Sequence, residues 1–405
     1  MEIENLFKNK LKEIGEILNA KSEEISDVGV LSGISGVALF QFYYSKFLED
    51  DSFADQGAEN LMRMVELINT GNVLPTFCTG VAGACWVLEI LKEEELVALD
   101  DDFLSSDLDS FLLEVMRKDI KKENFDFLHG AIGYGYYFLK RYKNSSSQKL
   151  KNKYKKYLDE LVISLKTLAK QNDEEIWWES PLQIGGKDKG CNLSLSHGVA
   201  SIINFLARLG ELTVFYKDVH ELLIKASGYI LAHQNNDKTL SATFPNWVVE
   251  GEVNEGYSRL SWCYGDLGIG ISLLRVGEVL ENRHIYDEAL RILKKSTRRR
   301  DPKEAGIHDA GLCHGTFGIL HIYNYLYKKT KDEDFRKAMI FWAEQSLQID
   351  IHKNGYAGYM VWNVNDEEQW KPDTSLLEGI AGIGLSILSY LSPFDSKWDE
   401  SIMIG

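Results

Sequence analysis

A small-residue turn of the form Gly-x-x-Gly recurs seven times in this chain of 405 residues, each time opening an apolar helical run. The copies are Gly33-Ile-Ser-Gly36, Gly80-Val-Ala-Gly83, Gly130-Ala-Ile-Gly133, Gly198-Val-Ala-Ser201, Gly265-Asp-Leu-Gly268, Gly315-Thr-Phe-Gly318 and Gly379-Ile-Ala-Gly382. Their first glycines are 47, 50, 68, 67, 50 and 64 positions apart by subtraction. Only the fourth departs, with Ser201 in the last place. A period of this length means one supersecondary unit per repeat, stacked so that neighbours bury what one unit cannot.

Each unit pairs two kinds of segment. Before every turn comes an amphipathic stretch, expected at Glu2 to Ala20, Ala58 to Asn69, Asp107 to Lys118, Gln148 to Lys170, Asp218 to His233, His284 to Lys295 and Asp332 to Gln348. In the fourth, Leu150, Tyr154, Leu158, Leu161 and Leu165 fall on one helical face, so that face is buried and the other wet. The runs after the glycines, such as 200–209 and 269–276, are apolar nearly all round, as helices covered on most sides are. Period-two runs are scarce, a short hairpin within Thr239 to Val249 being the exception expected. The chain therefore reads as one all-α domain over residues 1–405, seven helical hairpins with their apolar members inside. An open solenoid needs polar capping repeats. The first and last copies here are as apolar as the middle ones, which favours closure into a double ring. Glycine at the inner helix starts lets backbones approach closely.

Composition narrows the partners. A net charge of −16 argues against nucleic acid or an anionic membrane surface and is compatible with basic peptides. Five cysteines, an odd number spread over a long chain, do not form a secreted disulfide framework. The amphipathic start lacks the apolar core of a secretory signal, and the most apolar stretch, about 13 residues near Gly379, is short of a membrane span. A cytoplasmic protein is expected, or one peripheral to the membrane through a complex.

Reactive side chains cluster just before the turns of copies three to six: Asp126-Phe-Leu-His129, Ser196-His197, Trp262-Cys263-Tyr264 and Cys313-His314. If the inner helices converge, these positions converge. Cys263 and Cys313 stand in matching places of neighbouring repeats, and His314 follows Cys313. Two thiolates and an imidazole suit zinc and leave its fourth position open, which leans toward catalysis. Cys78 has no neighbouring histidine and Cys191 lies in an expected loop. Both are left out of the ligand set. His197 is a candidate acid or base, since imidazole is easily poised near neutral pH, and His129 is its rival. Asp126 and Arg259 are candidates to orient it or to bind substrate.

With the seven-fold turn, Trp-Cys-Tyr-Gly at 262–265, Cys-His-Gly at 313–315 and Ser-His-Gly at 196–198, the whole chain resembles the lanthionine synthetase C-like proteins, specifically the stand-alone class I lanthipeptide cyclases. The resemblance implies an α/α toroid of two nested seven-helix rings. It implies Cys263, Cys313 and His314 as ligands of one zinc per chain, His197 and Asp126 as acid/base residues, and Arg259 and Tyr264 as further catalytic positions. The implied reaction adds cysteine thiols of a dehydrated precursor peptide to dehydroalanine or dehydrobutyrine. A separate dehydratase and a peptide transporter are the implied partners, because a bifunctional synthetase would carry a large region before Glu2. Relatives that add glutathione to dehydrated residues are the alternative, against which Tyr264 leans. A glycosidase on a helical toroid would need paired carboxylates and no zinc triad. The long segments 171–195, 235–261 and 349–377, with Trp177, Trp178 and Trp247, are expected either to line a peptide path or to anchor loops.

Overall fold

The computed structural model describes residues 2–101, 103–182, 186–237, 239–349, 351–364 and 368–405. The positions of the three long segments at 183–185, 238, 350 and 365–367 lie outside the described residues. Among the described residues fourteen α-helices alternate as the pattern requires. The amphipathic series is α1 (Glu2–Lys21), α3 (Ser52–Asn69), α5 (Ser106–Lys121), α7 (Gln148–Leu168), α9 (Thr213–Ala232), α11 (Arg283–Ser296) and α13 (Glu333–Gln348). The apolar series is α2 (Ile34–Leu48), α4 (Val81–Glu93), α6 (Ala131–Asn144), α8 (Val199–Gly210), α10 (Asp266–Val279), α12 (Thr316–Thr330) and α14 (Ile380–Leu391).

The two series differ in burial and in how they start. Every residue of α8 is buried, whereas α7 buries only Tyr154, Leu158, Leu161, Val162 and Leu165. In the amphipathic series Ser105, Ser147, Asn282 and Asp332 cap their helices by accepting a backbone N–H. The apolar helices all start at the turn glycine with no side-chain cap. In five of them the first N–H group is nonetheless used. Ile34, Val81, Ala131, Thr316 and Ile380 each donate to the carbonyl seven residues earlier, those of Asp27, Leu74, Asn124, Asp309 and Asp373. The turn thus spends on itself the donors that a helix start otherwise offers a ligand.

Close approach, rather than unusual backbone, explains most of the glycines. A Cβ on Gly382 would overlap the Leu376 carbonyl oxygen, and the Gly382 site has no room to give. Gly265 alone among the seven leading glycines has positive φ, +86°, a conformation that L-residues rarely adopt. Ser201 fits the fourth copy by donating its hydroxyl to the Gly198 carbonyl at 2.7 Å.

The chain divides into two compact units, residues 1–99 with 300–405, and residues 100–299. In the first unit α2 packs on α3 and α12 on α13, while α1 packs on α14. In the second α6 packs on α7, α8 on α9 and α10 on α11. Five of the apolar helices, α2, α6, α8, α10 and α12, are therefore matched most closely with the amphipathic helix that follows, where the sequence pattern had suggested the one before. The last apolar helix takes α1 as its partner. Backbone bonds lace the turns of the first unit in the same circuit: Leu31 N–H to Cys78 O, Cys313 N–H to Leu377 O, and Leu377 N–H to Leu31 O. The last of these joins the seventh copy to the first, which a closed ring requires and an open solenoid lacks.

Short strands occupy the long segments. In the second unit β1 (Lys170–Gln171) pairs β2 (Ile176–Trp177), and β3 (Ser180–Pro181), β4 (Lys189–Asn192) and β5 (Trp247–Val248) form a three-stranded antiparallel sheet. In the first, β6 (Val361–Val364) and β7 (Glu368–Lys371) form a hairpin in which Trp362 faces Trp370. The hairpin expected within 239–249 is corrected to a single strand paired with β4, and Cys191 lies in that sheet rather than in a loop. Their partner residues are over fifty positions apart, beyond the reach of a local pattern. The tryptophans of the second unit are anchored: Trp177 stacks on Tyr229 at 5.0 Å, the Trp178 indole donates to Leu165 O, and Trp247 is held in β5.

Candidate active site

Copies three, four, six and seven begin with one local device six residues before the leading glycine. The Oδ1 atoms of Asn124, Asn192, Asp309 and Asp373 accept the N–H of the residue two positions on, an Asx turn. In copy five that place holds Arg259, half-buried, ahead of the left-handed Gly265.

In the second unit the turns of copies three, four and five bring their polar residues together. His197 Nδ1 lies 2.5 Å from Asp126 Oδ2, while Asp126 Oδ1 accepts the His129 N–H at 2.7 Å. Burial works against a charged His197 imidazole, but the Asp126 carboxylate, and further the Cys263 thiolate, outweigh it and hold its pKa above the ordinary histidine value. Burial pushes the pKa of His129 down instead. The Asp126 carboxylate reaches the side chain of one of these two histidines. His197 has it; His129 offers Asp126 only its backbone, with its ring 6.5 Å from that of His197.

Tyr264 places its ring 6.3 Å from His197, and its hydroxyl oxygen accepts from the Asn192 amide at 3.2 Å. Burial, foremost, keeps this phenol protonated beyond its ordinary range. Cys263 is buried, with Ser261 Oγ 3.5 Å from its Sγ. Its carbonyl accepts the N–H groups of Leu195 and Ser196, so turn five is fixed to turn four beside His197.

In the first unit Cys313 and His314 stand before Gly315, partly exposed, with their sulfur and ring-nitrogen donors within 4.8 Å of each other. Asp309 Oδ2 lies 3.3 Å from His314 Nε2. Glu378, in the corresponding place of copy seven, is mostly buried, and burial, foremost, raises its pKa despite the nearby His314. The sequence reading passed over Asn192, Asp309 and Glu378. The recurring Asx residue six places before the glycine is the signal that would have found the first two.

Burial pushes the Cys191 thiol up to about 12, and Cys78 Sγ lies 3.5 Å from Ser32 Oγ.

A family model described as "Lanthionine synthetase C-like protein" matches residues 24–403, and the chain belongs to that family. It is a lanthionine-forming cyclase by this membership. The nisin biosynthesis protein NisC of Lactococcus lactis subsp. lactis is 22% identical over 412 residues, 95% of this chain and 91% of that protein. A solved structure of nisin cyclase superposes with a TM-score of 0.74 at 18% identity, covering 98% of this chain and 97% of that one. The likeness shows the fold, an α/α toroid. No described helix is long and apolar enough to cross a membrane.

Proposed function

We propose that this protein is a zinc-dependent lanthipeptide cyclase, closing thioether rings in a dehydrated precursor peptide. The observation that carries the reading is the half-buried His197–Asp126 pair beside the Cys263 turn, in a chain of this family. Cys263, Cys313 and His314 would hold one zinc per chain. Two thiolates and a neutral imidazole cancel its charge, and they leave a tetrahedral ion one open position. When bound, the metal supplies a Lewis acid that lowers the pKa of a thiol at that position.

The remaining chemistry falls to the chain. As sulfur bonds to the β-carbon of dehydroalanine or dehydrobutyrine, the alkene pair moves toward the α-carbon and its carbonyl, giving an enolate that needs a proton. Asp126 occupies His197 Nδ1, so Nε2 is the nitrogen left to deliver it. Tyr264, kept protonated foremost by burial, and the guanidinium of Arg259 are the donors suited to the enolate oxygen. Delivery of the proton to the α-carbon completes lanthionine or methyllanthionine.

The precursor peptide is the expected partner, with a separate dehydratase and a transporter in the same pathway, in the cytoplasm. The test incubates the protein with a dehydrated, cysteine-bearing peptide and counts free thiols by alkylation and mass spectrometry. Loss of thiols without mass change supports cyclisation. Persistent peptide thiols with consumption of added glutathione assigns the chain to glutathione addition instead.

A further inference from the structure

An Asx turn needs one side-chain oxygen, so asparagine and aspartate serve equally, as Asn124 and Asn192 show in copies three and four. In copy six the residue is Asp309, 2% exposed, and its second oxygen is engaged as well. Oδ1 accepts the Gly311 N–H at 3.1 Å, the role common to the repeats. Oδ2 lies 3.3 Å from Nε2 of His314 and accepts the backbone N–H of Trp362 at 3.1 Å. A buried carboxylate is costly unless it is paired, and an amide would have satisfied the turn. A carboxyl in place of an amide is therefore explained by what Oδ2 touches.

We propose that Asp309 is a positioning residue for the metal centre. Its Oδ2 holds the Nε2–H tautomer of His314, which leaves Nδ1 as the donor nitrogen. The same oxygen ties that imidazole to the β6–β7 hairpin. A carboxylate on the far nitrogen of a liganding histidine fixes the ring's orientation and raises its basicity. The hairpin end is itself well placed: the Trp362 indole stacks on His308, next to Asp309, at 3.8 Å. A displacement of β6 would thus reach His314 through one oxygen atom.

The proposal rests on the zinc reading above, and the experiment separates the two. Zinc dissociation constants are measured on the full chain by competition with a chromophoric chelator, and the d–d spectrum is recorded after Co²⁺ substitution. Asp309→Asn keeps the Asx turn, and Asp309→Ser, which can also make it, lacks the second oxygen. Both are expected to bind zinc about 10- to 100-fold more weakly and to shift the Co²⁺ bands. In a His314→Ala background, Asp309→Asn is expected to change affinity by less than about threefold, because its effect runs through the missing imidazole. Unchanged affinity and spectrum in both variants overturns the proposal while leaving the zinc reading intact. An equal loss in both backgrounds overturns it too, since Asp309 would then act only on the loop. Wild-type protein without stoichiometric zinc overturns both readings.

Discussion

Replacing Asp126 by asparagine removes a negative charge from one end of a 2.5 Å contact while keeping nearly the same volume. A hydrogen bond to a charged group contributes about 1.5–3 kcal/mol. The His197 side chain is 35% exposed, so solvent screening argues for the lower end, about 1.5 kcal/mol. If that energy supports the protonated imidazole in the transition state, the rate at neutral pH falls roughly tenfold. The sign with pH follows from the direction of the shift. The His197 pKa is raised in the fold, so the acid form is present below it and disappears as pH rises through it. Without Asp126, burial dominates, and the alkaline limb of the rate profile moves to lower pH. The same linkage makes this pair's stability contribution fullest below the unfolded histidine value and lost as pH rises through the folded one. The assay is ring closure of a dehydrated peptide, followed by thiol alkylation at a series of pH values. A profile for Asp126→Asn that overlays the wild type, limb for limb, refutes this account of the pair.

Three further outcomes are expected. Cys313→Ala loses the single zinc, read by metal analysis of purified protein; wild type carrying none would sink the metal assignment. Gly265→Ala forces a side chain into a left-handed position already crowded by the Arg259 carbonyl, and chemical denaturation should show a loss of about 1–3 kcal/mol or more. Asp266, fully buried, accepts the Thr243 and Phe244 N–H groups and faces Arg299 at 3.9 Å. Asp266→Ala removes the acceptor of both N–H groups and the carboxyl partner of a buried guanidinium left with the Ser258 carbonyl, at a cost of about 3–5 kcal/mol, and a melting temperature equal to wild type would contradict it.

The helical plan was legible because it is local. The face built on Tyr154, Leu158, Leu161 and Leu165 repeats at helical spacing, and the buried α8 is apolar all round. The convergence of His197 with Asp126 was also within reach, because each stands just ahead of a leading glycine, Asp126 four places before Gly130 and His197 one place before Gly198. What the chain hid depends on distant partners. Cys191 becomes a strand residue only because Val248 lies opposite it, and Asp309 takes on its second role only because Trp362 comes to it from 53 positions away. The pairing of α1 with α14 was likewise invisible to a pattern that reads each amphipathic segment with its immediate successor.

The bond from Leu377 to Leu31 sets a timetable for biosynthesis. Its two ends are 346 positions apart (377 − 31), so at about 5–20 residues per second the ribosome needs roughly 17–70 s between them. Throughout that interval α1 waits without α14 and the first turn without the seventh, while residues 100–299, a compact unit of their own, are already synthesised. The entropy of closing so long a segment is modest, about 5 kcal/mol on the logarithmic law. Delay, more than free energy, is the hazard of this architecture, and slowing translation within residues 300–376 would lengthen the exposure of the apolar α2.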